Sequence, residues 1–186
     1  MAALLLLWGI LSLFSNNPTN SLVNDDKVTV GLFYETYCPD CKQFVTNQLW
    51  PTFQSIGEIM NIDLVPYGFA NVHEKLPNGT VTFKCQHGPR ECKANMIHAC
   101  VIHLVNDVKL VMSFVHCMES EKDPVTAARK CCDHSGISYT NINQCFTTQK
   151  GIDLLIEAGK RTTQFKPEIT EVPWITINSV CFLNDQ

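Results

Sequence analysis

The chain has 186 residues, 45% hydrophobic and 17% charged, the balance of a folded globular protein rather than a disordered one. This length suits one domain with room for an insertion. A net charge of −4 without a basic cluster gives no sign of a nucleic-acid partner; the runs at 160–166 and 92–98 are too thinly charged to track phosphates.

Residues 2–14 form an apolar stretch of 13 residues followed by polar Ser15 and Asn16. It is too short to span a bilayer but has the length of a signal-peptide core, so residues 1–20 are read as a signal peptide, cleaved between Ser15 and Ser21. An uncleaved interfacial anchor is the alternative. No later stretch is apolar enough for stable membrane insertion. Ten cysteines fit entry into an oxidising pathway.

Residues 27–34, KVTVGLFY, are β-branched and aromatic and predict a buried strand. A helix is expected from Pro39 to about Ile56, with Cys41, Phe44, Val45 and Leu49 on one face and a kink or break at Pro51. Residues 59–70 read as a second strand leaving into a loop, the strand parallel to the first through a right-handed crossover. Asn78-Gly79-Thr80 is a glycosylation sequon; Asn17-Pro18-Thr19 is blocked by its proline. A helix follows from about Glu91 to Asn106, on the spacing of Ala94, Ile97, Val101, Leu104 and Val105. Asp123-Pro124 opens another, which Gly136 can end, and a further helix runs from about Asp153 to Thr163. Residues 171–178 return to strand behind Pro173. The sum is a βαβ core carrying a helical insertion over about 85–165, all within 27–178.

The stretch YCPDC sits where the first strand meets the first helix. That junction puts Cys38 at a helix N-terminus, where unpaired N–H groups and the macrodipole favour the thiolate that attacks disulfides. Cys41, one turn on, can close an internal disulfide and expel the product. A zinc site needs four ligands, usually two such pairs, and the chain has one Cys-x-x-Cys, so no metal is expected; a purely structural disulfide fits this junction poorly.

A second cluster, CQHGPRECKANMIHAC, spans 85–100. Cys92 and Cys100 on one helix lie about 12 Å apart along its axis, too far to bridge each other. Cys85 is one candidate partner for Cys92, in a stapled surface helix. His87, His98 and His103 read as ordinary helix or surface histidines.

The set Cys85-Gln86-His87-Gly88, Glu91-Cys92, Asn95 and Cys100 resembles the signature of the gamma-interferon-inducible lysosomal thiol reductase family. YCPDC upstream, residues 142–162 and VPWITIN downstream resemble it as well, over roughly 27–178. The resemblance implies a thioredoxin-like α/β fold that reduces disulfides of protein substrates by dithiol exchange in acidic endosomes or lysosomes, or outside the cell. It makes Cys38 the nucleophile and Cys41 the resolving thiol. Pro173 would be the cis-proline that offers backbone to a bound peptide, and Asn78 a glycosylated residue. No bound cofactor is implied, only an external thiol such as cysteine or glutathione. A secretory disulfide oxidase or isomerase is the enzymatic alternative; an inactive cysteine-rich binding protein is the other.

The likeness weakens after Pro173, where 13 residues remain and family members continue well beyond. The C-terminus is therefore read as truncated, with 179–186 a divergent tail and WITIN left with an open edge and one uncovered face. Cys181 in this tail is a candidate unpaired thiol, and parity then requires one more. Asp40, between the active cysteines, should oppose a thiolate at Cys38.

Overall fold

The computed structural model describes residues 27–75, 77 and 81–181. The signal peptide, Asn78 and residues 182–186 lie outside them. Strand β1 (Val28–Tyr34) alternates as a strand must: Val30, Leu32 and Tyr34 face one core, and Phe33 faces the other. Strand β2 (Met60–Pro66) lies parallel to β1, Val30 opposite Ile62 and Leu32 opposite Leu64, and does the same with Leu64 and Val65. The strand stops at Pro66 and leaves into a turn over 67–70 closed by the Ala70 N–H on the Tyr67 carbonyl at 3.1 Å, while the Tyr67 N–H is held by the Tyr34 carbonyl at 2.9 Å.

The crossover between them is helical from Pro39 to Ile56, as α1 (Pro39–Phe44), a π-helical turn (Val45–Leu49) and α2 (Trp50–Ile56). Pro51 produces no break. Its missing N–H and bulky ring are absorbed by the widened turn just before it, and the backbone stays right-handed helical through Val45, Leu49 and Trp50. A hairpin the sequence pattern did not announce follows: β3 (Asn71–Lys75) against β4 (Val81–Lys84), with a register shift at Val72/Glu74.

Five helices come next: α3 (Pro89–Leu104), α4 (Val108–Ser120), α5 (Pro124–Ser135), α6 (Tyr139–Phe146) and α7 (Gln149–Gln164). Helix α3 stops short of Asn106, and Leu104 is exposed. Between Glu91 and Val101 most of α3 is buried, polar Glu91, Asn95 and His98 included and Lys93 excepted, because α5, α6 and α7 all pack on it. Ordinary amphipathic spacing therefore misjudged its surroundings. Of the histidines read as helix or surface residues, both His98 and His103 lie on α3, His98 fully buried and His103 exposed. Helices α4 and α6 were not expected. Asp123 does stand at the N-cap of α5, and Gly136 (φ 71°) ends it in the left-handed conformation.

Strand β5 (Trp174–Ile177) runs antiparallel to β1, giving the sheet order β2-β1-β5-β6. Gly31 permits this pairing, since a Cβ there would lie 2.3 Å from Thr176 Oγ1. The bare edge expected for WITIN is not found. Asn178 (φ 49°) and Ser179 (φ 66°) reverse the chain into β6 (Val180–Cys181), which pairs with Thr176 and Ile177. Nor is a face left open: Trp174 and Thr176 are buried, and Ile175 and Ile177 pack on the core.

Candidate active site

Cys38 occupies the N-cap of α1, with Pro39 at the first helical position. Its Sγ accepts the Cys41 N–H at 3.3 Å, and its carbonyl accepts the Lys42 N–H at 3.0 Å. Cys41 is fully buried beneath it, while 6% of Cys38 is exposed. The Cys38 thiol is lowered from 9.0 to about 6, first by the hydrogen bond from the Cys41 thiol, then by the Cys41 and Asp40 backbone N–H groups; burial and the Asp40 carboxylate oppose this. Cys41 is driven strongly upward by donating that bond and by its burial. One thiol is thus set to ionise and the other to hold its proton. Asp40 is exposed, so water screens its carboxylate while its N–H still serves Cys38.

The Val172–Pro173 peptide is cis, and the Val172 carbonyl stands 3.8 Å from Cys38 Sγ. Pro173 is therefore beside the dithiol although 134 residues separate Cys38 from Val172.

Beneath this surface lies a polar layer the sequence did not single out. Tyr34 Oη and His98 Nδ1 are 2.8 Å apart, and His98 Nε2 is 3.8 Å from Glu119 Oε1, all three side chains buried. Burial pushes His98 down to about 3 and holds Glu119 well above the usual carboxylate range, so both are neutral and the contact is not an ion pair. Cys38 and Lys42 also act on Glu119, in opposite senses. Nearer the rim, Tyr37 Oη donates to Asp123 Oδ1 at 2.5 Å, and Arg90 pairs with the same carboxylate. That carboxylate, depressed by Arg90, is turned to the rim rather than to the α5 N-terminus.

The signature stretch forms the start of α3 and the turn before it. Cys85 is bonded to Cys92 across one turn, Cα atoms 5.6 Å apart. Cys100 is bonded to Cys145 of α6, and Cys117 of α4 to Cys131 of α5. Four thiols remain: Cys38, Cys41, Cys132 and Cys181. Cys132 is the second unpaired thiol that parity required, and Cys181 Sγ accepts the Trp174 indole N–H at 3.3 Å. Asn95 Oδ1 accepts the Thr36 N–H at 3.1 Å, which ties the signature helix to the loop leading into Cys38. Glu35 on that loop is buried, raised to about 7 chiefly by burial, and lies against His87 and Glu91. An acidic residue ending an apolar strand, three positions before Cys38, was the signal that could have found it.

The family model described as gamma interferon inducible lysosomal thiol reductase matches residues 29–135. The chain belongs to that family. The goldfish (Carassius auratus) gamma-interferon-inducible lysosomal thiol reductase is 41% identical over 83% of this chain and 61% of its own length. The mouse protein of that name is 36% identical over 81% of this chain and 60% of its own, and GILT-like protein 2 of Drosophila melanogaster is 33% identical over 83% and 71%. The chain thus spans less than two thirds of the goldfish and mouse relatives. Among solved structures, Bacillus subtilis BdbD superimposes with TM-score 0.62 at 15% identity over 87% of this chain and 81% of its own. Chlamydia trachomatis DsbA gives 0.58 at 16% identity over 83% and 78%. These show the thioredoxin-like fold. Within this member of the thiol reductase family, the helices α3–α7 are an elaboration between β4 and β5.

Proposed function

We propose that this chain reduces disulfide bonds of protein substrates by dithiol exchange at Cys38 and Cys41. The observation that carries the reading is the asymmetric pair at the start of α1: an N-capping sulfur that receives an N–H, over a fully buried second thiol. The Cys38 thiolate attacks one substrate sulfur, forming a mixed disulfide and releasing the other as a thiolate that takes a proton. Cys41 then gives up its proton and attacks Cys38 Sγ, which frees the second substrate thiol. Two electrons pass to the substrate, and the Cys38–Cys41 disulfide is left behind. Two equivalents of an external thiol, cysteine or glutathione, restore it. No bound cofactor enters the reaction.

The low value at Cys38 supports work in acid. At pH 5 a thiol titrating at about 6 is about a tenth thiolate, whereas an ordinary one is about 0.03%. An endosomal, lysosomal or extracellular setting, with a cleaved signal peptide and a sugar on Asn78, agrees with this. Pro173 and the Val172 carbonyl would border the substrate peptide. No described helix is long and apolar enough to cross a membrane.

Insulin-disulfide reduction at pH 4.5 and pH 7, beside Cys38→Ser, tests the reading. Activity is expected at both values and none in the variant. The thiolate fraction alone makes the attack about thirtyfold slower at pH 4.5. Well-folded protein without activity at either pH would leave the inactive binding-protein alternative.

A further inference from the structure

His87 and Glu91 of the signature have no role assigned in the dithiol exchange described above, and they meet Glu35 at the foot of the Cys38 loop. One carboxylate oxygen each of Glu35 and Glu91 and one ring nitrogen of His87 all lie within 4.8 Å of one another. Both carboxyl side chains are fully buried, and 35% of the imidazole is exposed. Each carboxyl group is oriented through its other oxygen: Glu35 Oε1 accepts the Phe69 N–H at 2.6 Å, and Glu91 Oε1 accepts the Gln86 N–H at 3.0 Å. Glu35 Oε2 itself has no hydrogen-bond partner and points into the cluster, 3.5 Å from His87 Nδ1. Glu35 is seated on Gly68, where a Cβ would come within 2.0 Å of its Cγ.

We propose that Glu35, His87 and Glu91 form a zinc site. Two buried carboxylates side by side repel each other and are poorly solvated, a situation a divalent cation relieves. Tetrahedral zinc with ligands at about 2.0–2.1 Å needs them about 3.4 Å apart, close to the Glu35–His87 separation. His87 and Glu91 are in direct contact and must part on binding, which the exposed turn carrying His87 allows. One imidazole nitrogen with two carboxylate oxygens suits zinc, whereas calcium takes six to eight oxygens. The backbone N–H groups on the distal oxygens supply the outer shell that holds ligating carboxylates in place. The exposed side of His87 gives an entry path and leaves the fourth position to water. The metal would join the end of β1, the turn at 86–88 and the first turn of α3. The Cys38 N–H is bonded at 3.4 Å to the carbonyl of one ligand, Glu35.

The test is direct and does not depend on reductase activity. Chelator-stripped protein, oxidised at Cys38–Cys41, is titrated with zinc chloride by calorimetry, and the loaded form is examined by X-ray absorption. One zinc per chain is expected, in a shell of nitrogen and oxygen only, weakened at least about tenfold in His87→Ala and in Glu35→Gln. Absence of stoichiometric binding, sulfur in the shell, or unchanged affinity in His87→Ala would overturn the proposal. Because His87 sits on a surface turn with part of its ring in water, its variant should fold even where substitution of buried Glu91 does not.

Discussion

At the scale of single residues, the hydrogen bond from the Cys41 thiol, helped by two backbone N–H groups, sets which of two thiols ionises. Cys38 collects the donors at the open end of α1, and Cys41, one turn deeper, has burial and a donated bond against its ionisation. The spacing of the pair and the strand-to-helix junction were legible because they are local. The electrostatic conflict at Asp40 was legible too, but its outcome depended on exposure: the carboxylate faces water and the backbone N–H faces Cys38. Asp40→Asn should therefore move the Cys38 thiol to lower pKa and raise the thiolate fraction at pH 5 by no more than about threefold. Thiolate absorbance during a pH titration reads this directly. An unchanged or higher pKa would show that the carboxylate contributes nothing there. Glu119 and Glu35 escaped the sequence reading, as did the buried partners of His98, because these groups meet through segments far apart in the chain.

At the scale of elements, local patterns located β1, the crossover helix, α3, α5 and α7, whose spacing or caps are strong. They missed α4 and α6, and they read Pro51 as an interruption where a π-helical turn accommodates it. The stapling of α3 was foreseen for Cys85 and Cys92, but the partner of Cys100 is 45 residues away, on a helix the pattern had not revealed. Loop length orders the three bridges. On the chain-entropy account, opening Cys100–Cys145 costs about 4 kcal/mol, Cys117–Cys131 about 3 and Cys85–Cys92 about 2.4. Paired Cys→Ser variants should lower the denaturant midpoint in that order. A Cys85/Cys92 variant less stable than the Cys100/Cys145 one would show that the signature staple holds more than its own loop.

At the scale of the whole molecule, the four-stranded sheet brings β5 against β1 and so sets the Val172 carbonyl beside Cys38. No local pattern contains that juxtaposition; the resemblance supplied it. The open edge expected for β5 followed from treating residues 179–181 as tail. Two left-handed residues, Asn178 and Ser179, instead turn them into a paired strand, and Asn178 fixes the turn through both bonds to Thr29, at 2.8 and 2.9 Å. The central claim is that Cys38 attacks and Cys41 resolves. Trapping tests it most directly: Cys41→Ser incubated with a disulfide substrate, then alkylated, digested and mapped by mass spectrometry. The account predicts a stable mixed disulfide on Cys38 in that variant and none in Cys38→Ser. An adduct carried by Cys132 or Cys181, or no adduct on folded protein, would contradict it.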